Sequence, residues 1–275
     1  MKTAPILLFS VILFSFESCQ KSIDSTTSDN LTQPISQSAP QNSISLINLE
    51  KGLVAYYPFN GNANDLSGKK YNGVVNGATL TTDRFGKTKS AYLFSYGNSI
   101  NISTLHENNV LTYSISGWFQ KNLNSPEGTI FCSDIPGYVP GGFRIFVGNG
   151  AGNNHFTFLS EFQNFACNGV ISTNNSYADA VWHHFVANFS SAIGQINSNN
   201  FNIYIDGILI SQTQYSQGDL SYVLAPINNG TTSTVIGSAQ GPYFGQTDSF
   251  QGKLDDIRIY NRVLTQSEIT YLATH

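Results

Sequence analysis

From Lys51 onward, short apolar or alternating apolar and polar runs recur along the chain, with turn-forming residues such as Gly, Pro, Asn, Asp and Ser between them. A period of two is the mark of a half-buried β-strand. The runs are Leu53–Tyr57, which ends at Pro58, then Ser90–Phe94, Ser99–Ile102, Tyr113–Phe119, Thr129–Cys132 and Phe143–Val147. His155–Leu159, Trp182–Phe189, Phe201–Ile205, Ile208–Ile210, Val235–Ile236 and Leu254–Tyr260 complete the series. Asp206-Gly207 separates two of them and predicts a tight hairpin. More than ten short strands with no long helical period and no fixed repeat predict an all-β sandwich or barrel, and exclude a propeller or solenoid. One helix is expected at the end. Thr265-Gln266-Ser267-Glu268 reads as a capping box ahead of Ile269, Tyr271 and Leu272.

The first residues follow another pattern. Lys2 precedes an apolar run from Ala4 to Phe16, which closes on Glu17-Ser18-Cys19. The run has secretory length and is shorter than the ~20 apolar residues of a membrane-spanning helix. It resembles a bacterial lipoprotein signal. That resemblance implies a signal peptide over 1–18, cleavage before Cys19, and a diacylglycerol on the Cys19 thiol. Gln20-Lys21 with Asp24 resembles the surface-export signal of Bacteroidota lipoproteins. The location then expected is the outer membrane or cell surface, with membrane contact through the lipid anchor only. Residues 19–44 are rich in Ser, Thr, Asn and Gln and poor in large apolar side chains. Such a stretch buries too little surface to offset its ordering entropy, so it reads as a flexible tether with a reach on the order of 30 Å. The domain is expected over 45–275.

Composition narrows the class. Charged residues are 11% of the chain and aromatic residues 13%, with 24 Gly. An average soluble domain is about 25% charged, so the balance points to an extracellular β protein and excludes a helical bundle. A net charge of −4 lacks the basic footprint of a nucleic-acid binder. Of the three cysteines, Cys132 and Cys167 remain if Cys19 carries lipid. They form one disulfide or stay as buried thiols, and no Cys-x-x-Cys spacing offers a metal site.

Four segments, in order, resemble the laminin-G-like jelly roll of the concanavalin A-like lectin/glucanase superfamily. They are Gly52–Gly68 with Asn72-Gly73, Asp83–Gly86 leading to Ser90–Phe94, Val181–Ala187 with Ile203–Gly207, and Phe250–Arg262. The resemblance implies a two-sheet antiparallel jelly-roll sandwich with a short C-terminal helix. It does not imply one function, because one fold hosts many.

The enzymatic branch of that superfamily carries paired carboxylates on one strand face, at the spacing a retaining glycosidase needs. Glu50, Glu107, Glu127, Glu161 and Glu268 have no acidic residue at i+2 or i+4, so that motif is absent. His183-His184 would point to opposite faces of a strand and so cannot share one ion, leaving one ring packed inside or capping a backbone carbonyl and the other exposed. The oxygen-rich segment with Asn60, Asn62 and Asp65 is the candidate calcium loop. The resemblance implies that it shares the ion with Asp255 or Asp256, which a regular strand places on opposite faces. The alternative makes Asp65 a turn residue and pairs the two late aspartates with Arg84 or Arg258. Two Gly/Pro loops present Tyr138, Tyr243 and Phe244 as candidate sugar-stacking rings. The expected function is non-catalytic binding of a glycan. The alternatives are a protein-binding adhesion module for a cell-surface protein and, third, a glycoside hydrolase.

Overall fold

The alternating runs become strands, and the capping box becomes a helix. The computed structural model describes residues 47–102, 105, 112–123, 125–133, 142–148, 154–161, 167–173, 177–190, 200–210, 212–217, 234–239 and 248–275. The described residues lie within the unit Leu46–His275. In chain order the strands are β1 (Leu53–Tyr57), β2 (Gly73–Asn76), β3 (Thr79–Thr81), β4 (Ala91–Phe94), β5 (Ser99–Ile102), β6 (Thr112–Lys121), β7 (Gly128–Cys132) and β8 (Gly142–Val147). They continue as β9 (Phe156–Glu161), β10 (Cys167–Ser172), β11 (His183–Ser190), β12 (Phe201–Ile205), β13 (Ile208–Leu209), β14 (Gln212–Gln217), β15 (Thr234–Ile236) and β16 (Gly252–Tyr260). Helix α1 spans Gln266–Thr274.

Two antiparallel sheets form the sandwich. The first runs β13-β12-β11-β6-β16-β4-β3, with β1 also paired to β16, and the second runs β14-β10-β9-β8-β7-β15-β5-β2. The first strand therefore pairs with the last, Leu53 opposite Tyr260 and Tyr57 opposite Ile257. Along β16, Gly252 to Leu254 face β4 and Ile257 to Tyr260 face β1, while β6 lies on the other side. At the predicted hairpin, Asp206 (φ 52°) and Gly207 (φ 83°) both adopt the left-handed conformation that a twisted two-residue turn requires.

The inner faces meet through aromatic rings. Tyr113 of β6 stacks on Phe143 of β8 at 4.6 Å, Phe119 meets Phe156 at 5.6 Å, and Phe201 of β12 meets Phe158 of β9 edge-on at 5.1 Å. Phe131 and Phe143 lie parallel at 5.5 Å within the second sheet. A smaller cluster forms on the outer face of the first sheet, where Ile269 and Leu272 of α1 cover Val186, Tyr260 and Leu264.

Helix α1 begins as its sequence dictates. The Thr265 hydroxyl accepts the Glu268 N–H, and the Glu268 carboxylate accepts the Thr265 N–H at 2.8 Å. Arg262 grips the same carboxylate with both terminal nitrogens, at 2.8 and 2.7 Å. Thr265→Ala is expected to cost about 1 kcal/mol, read as a lower urea midpoint. An unchanged midpoint would mean that Arg262 alone holds the helix start.

The sheet order decides the cysteine question. Cys132 ends β7 and Cys167 begins β10, with β8 and β9 between them. Three inter-strand steps of ~4.8 Å separate the two backbones by about 14 Å, whereas a bridge needs Cα atoms within roughly 7 Å. This register does not bring the two cysteines within bridging distance.

Candidate functional site

The late aspartates do not obey strand alternation. Asp256 has φ 51°, and the pairing of β16 with β6 shifts register between Asp255 and Arg258. This bulge sits where β16 changes partner from β4 to β1, and it turns both carboxylates toward one cation. Arg84 Nη1 lies 2.8 Å from Asp255 Oδ2 and 2.8 Å from Asp256 Oδ2. The expectation that the two aspartates point to opposite faces is thus corrected by the inserted residue. Arg84 Nη2 donates to the His275 carbonyl at 2.9 Å, and its guanidinium lies 4.6 Å over Trp118. Tyr56 donates its hydroxyl to Asp256 Oδ1 at 2.8 Å. Burial, then the neighbouring Asp256, pushes the Asp255 carboxyl up to about 8, against the pull of Arg84.

Asp65 has a different task. Its Oδ1 accepts the N–H groups of Tyr56 and Ser67, and its Oδ2 accepts the Ser67 hydroxyl and the Tyr71 N–H, all at 2.8–3.0 Å. A carboxylate offers about four lone-pair positions, and here protein donors fill them. Asn60 Oδ1 accepts the Lys87 ammonium at 2.8 Å, and Asn62 Oδ1 accepts the Asn64 N–H at 2.8 Å. Among the described residues no group of three or more His, Cys, Asp or Glu could hold a metal ion. In this arrangement Asp65 folds the 63–73 loop onto β1, and Asp255 and Asp256 hold Arg84. Calcium and a chelator are expected to give superimposable thermal melts. Asp65→Ala should destabilise by about 1–3 kcal/mol in either condition, because it strands buried donors. A midpoint that rises with calcium and not with magnesium would overturn this assignment.

A second shared arginine lies on the other sheet. Arg144 of β8 donates to Thr129 Oγ1 at 2.8 Å and to Glu127 Oε1 at 2.8 Å, stands 3.5 Å from Asp248, and lies 4.3 Å over Phe146. Burial raises the Glu127 carboxyl, with Arg144 opposing it. No motif in the sequence unites these residues. The pattern extends to every arginine of the chain, since Arg258 lies over Tyr56 and 3.5 Å from Asp256, and Arg262 lies over Tyr260 and on Glu268. A visible trace exists in the spacing of Arg84 and Phe85, Arg144 and Phe146, and Tyr260 and Arg262, each pair one or two residues apart.

The adjacent histidines point to opposite faces, as expected. His183 packs against Phe119, and His184 against Trp118. Neither ring is exposed, which corrects the expectation for one of them. Burial brings the His184 pKa down to about 3, so its ring is neutral. Burial would lower His183 too, but contacts to Asp206 at 2.8 Å and Asp179 at 3.2 Å outweigh it and raise its pKa. His183 thereby clamps the Asp206-Gly207 turn to the segment before β11. The candidate rings Tyr138, Tyr243 and Phe244, and Cys19 with its tether, lie outside the described residues.

A search of the curated proteins found no match to this sequence. Among solved structures, domain 4 of AbnA, a GH43 extracellular arabinanase from Geobacillus stearothermophilus, in complex with arabinotriose, aligns with a TM-score of 0.55 at 19% identity, over 80% of this chain and 98% of that one. The binding domain of botulinum neurotoxin DC in complex with SialylT aligns at 0.55 and 16% identity, over 82% and 52% of the two chains. The binding domain of Paraclostridial Mosquitocidal Protein 1 aligns at 0.55 and 19%, over 82% and 52%. The chain spans about half the length of those two toxin domains, and these likenesses establish the fold. The family Laminin_G_3, described as the concanavalin A-like lectin/glucanases superfamily, matches residues 94–270, well over half of the chain. This protein therefore belongs to the concanavalin A-like lectin/glucanases superfamily, through a laminin-G-like domain.

Proposed function

We propose that the protein is a non-catalytic binding module of an envelope-anchored lipoprotein, and that its ligand is a carbohydrate. The observation that carries this reading is the size-matched likeness to domain 4 of the arabinanase, which was solved with arabinotriose and is covered over 98% of its length. The proposal assigns no hydrolysis. The acidic pairs Asp255–Asp256 and Glu127–Asp248 are each tied to an arginine, an arrangement suited to holding strands together rather than to flanking a glycosidic bond. A glycan array probed with residues 45–275 tests the reading. Binding to sugars supports it, capture of a cell-surface protein with no glycan bound favours the adhesion alternative, and sugar release from a polysaccharide would replace both with an enzyme.

The anchor rests on the apolar run that ends at Cys19. Among the described residues no helix is long and apolar enough to cross a membrane. Cys19→Ala is expected to move the chain from the membrane fraction to the soluble fraction, or to leave it unprocessed on a gel. Unchanged partitioning and mobility would remove lipidation from the account.

A further inference from the structure

We infer that the turn bearing Phe85, with the lysine-rich loops beside it, is a docking surface for an acidic polysaccharide. The inference rests on the carbohydrate reading and assigns it a place and a charge. Phe85 is 72% exposed, more than any other large apolar side chain among the described residues. Leaving an aromatic ring in water is costly without a partner. The turn that carries it is tied down. Asp83 Oδ1 accepts the N–H groups of Phe85 and Lys87 at 2.9 and 2.8 Å, the Asp83 N–H donates to the Lys87 carbonyl, and the Gly86 N–H donates to the Asp83 carbonyl. Arg84 lies 4.4 Å from the ring centroid and is itself fixed by two carboxylates and Trp118. One face of the ring is thus backed by a buried cation and the other faces solvent, so little ordering remains for a ligand to impose.

The charge around the ring is one-sided. Residues 60–90 hold five cations and two aspartates in a chain whose net charge is −4. Asp65 is saturated by protein donors and Asp83 is engaged in its turn. Lys87 and Lys89, which follow the ring, are exposed, and so are Lys69 and Lys70, further along the neighbouring loop beside Val54. The two loops adjoin, because Lys87 donates to Asn60 and the Gly61 N–H donates to the Lys89 carbonyl, both at 2.8 Å. Since every arginine is engaged with a carboxylate and a ring, the outward positive charge here is carried by lysine. A flat ring flanked by lysines fits a pyranose face that carries carboxylate or sulfate groups. An anionic lipid surface shares the charge but offers no sugar face to the ring.

The test uses the full chain with Cys19→Ala, so that no acyl group contributes, and measures Kd for heparin, polygalacturonate and neutral arabinan at two salt concentrations. Binding to at least one acidic polymer, weakened by salt, is expected. Phe85→Ala should weaken it about tenfold, Phe85→Tyr should restore it, and Lys87→Gln with Lys89→Gln should reduce its salt dependence. These residues are exposed, so an unchanged thermal midpoint separates lost binding from lost folding. No binding to either acidic polymer, equal binding by wild type and Phe85→Ala, or binding to anionic vesicles alone would overturn the inference. Glycan binding that is confined to neutral polymers would overturn it while leaving the carbohydrate reading intact, and absence of all glycan binding would end both.

Discussion

Replacing Arg84 with Ala is expected to destabilise the domain by about 3–5 kcal/mol, the range for removing one partner of a buried ion pair. The Arg84 side chain is 8% exposed, and those of Asp255 and Asp256 are 3% and 16% exposed. Without the guanidinium, the buried Asp255–Asp256 pair loses the cation it shares at the bulge, and Trp118 loses its stacked cation. For a domain of this size the thermal midpoint should fall by roughly 10 °C. Arg84→Lys should recover part of the loss, since an ammonium keeps the charge but cannot reproduce the planar fork and the ring contact. The pH dependence has a definite sign. Asp255 is raised to about 8 from an ordinary 3.8. Between those values the folded state binds more protons than the unfolded chain, so stability falls as pH rises, by at most about 1.4 kcal/mol per pH unit. Asp255→Asn should flatten that slope. Denaturant melts at intervals from pH 4 to pH 8 measure it, and a slope that persists in the variant would assign the proton elsewhere.

The second large effect is expected in the aromatic core. Phe143 is 1% exposed and touches Tyr113, Phe131 and Phe158 at centroid distances of 4.6, 5.5 and 6.2 Å. Phe143→Ala should cost about 3–5 kcal/mol, because three rings on two sheets cannot collapse into one gap. Phe143→Leu should cost clearly less, because it fills most of the volume. Urea midpoints of the two variants check the order. A small loss for Ala would show that the sheets close over the cavity.

The strands that were legible in the sequence are those with one apolar face. Those that were not have physical reasons for silence. β14 reads Gln-Thr-Gln-Tyr-Ser-Gln and lies at a sheet edge, where polar residues can face water. β2 and β3 are also edge or near-edge strands, only four and three residues long. β10 is interrupted by Gly169, normally a reason to doubt a strand. An added Cβ there would lie 2.2 Å from the Phe158 carbonyl oxygen, so the glycine permits close pairing with β9. At the site, the individual aspartates were visible but their directions were not. Alternation gives the wrong face for Asp256, because a bulge inserts one residue and no local signal announces it. The Glu127–Arg144–Asp248 group was hidden for another reason: its members are separated by long stretches of chain and meet only through sheet pairing.

The position of β16 bears on the order of events when the chain folds. This strand is the last to be synthesised, yet it lies inside the first sheet, between β6 on one side and β4 and β1 on the other. Until residues 252–260 are available, β1 and β4 have no partner on that side, and the aromatic core has no complete wall. Contacts of such long sequence separation form slowly, since the chain must close a large loop before any pairing rewards it. The domain is thereby kept from completing its fold while its C-terminus is still emerging.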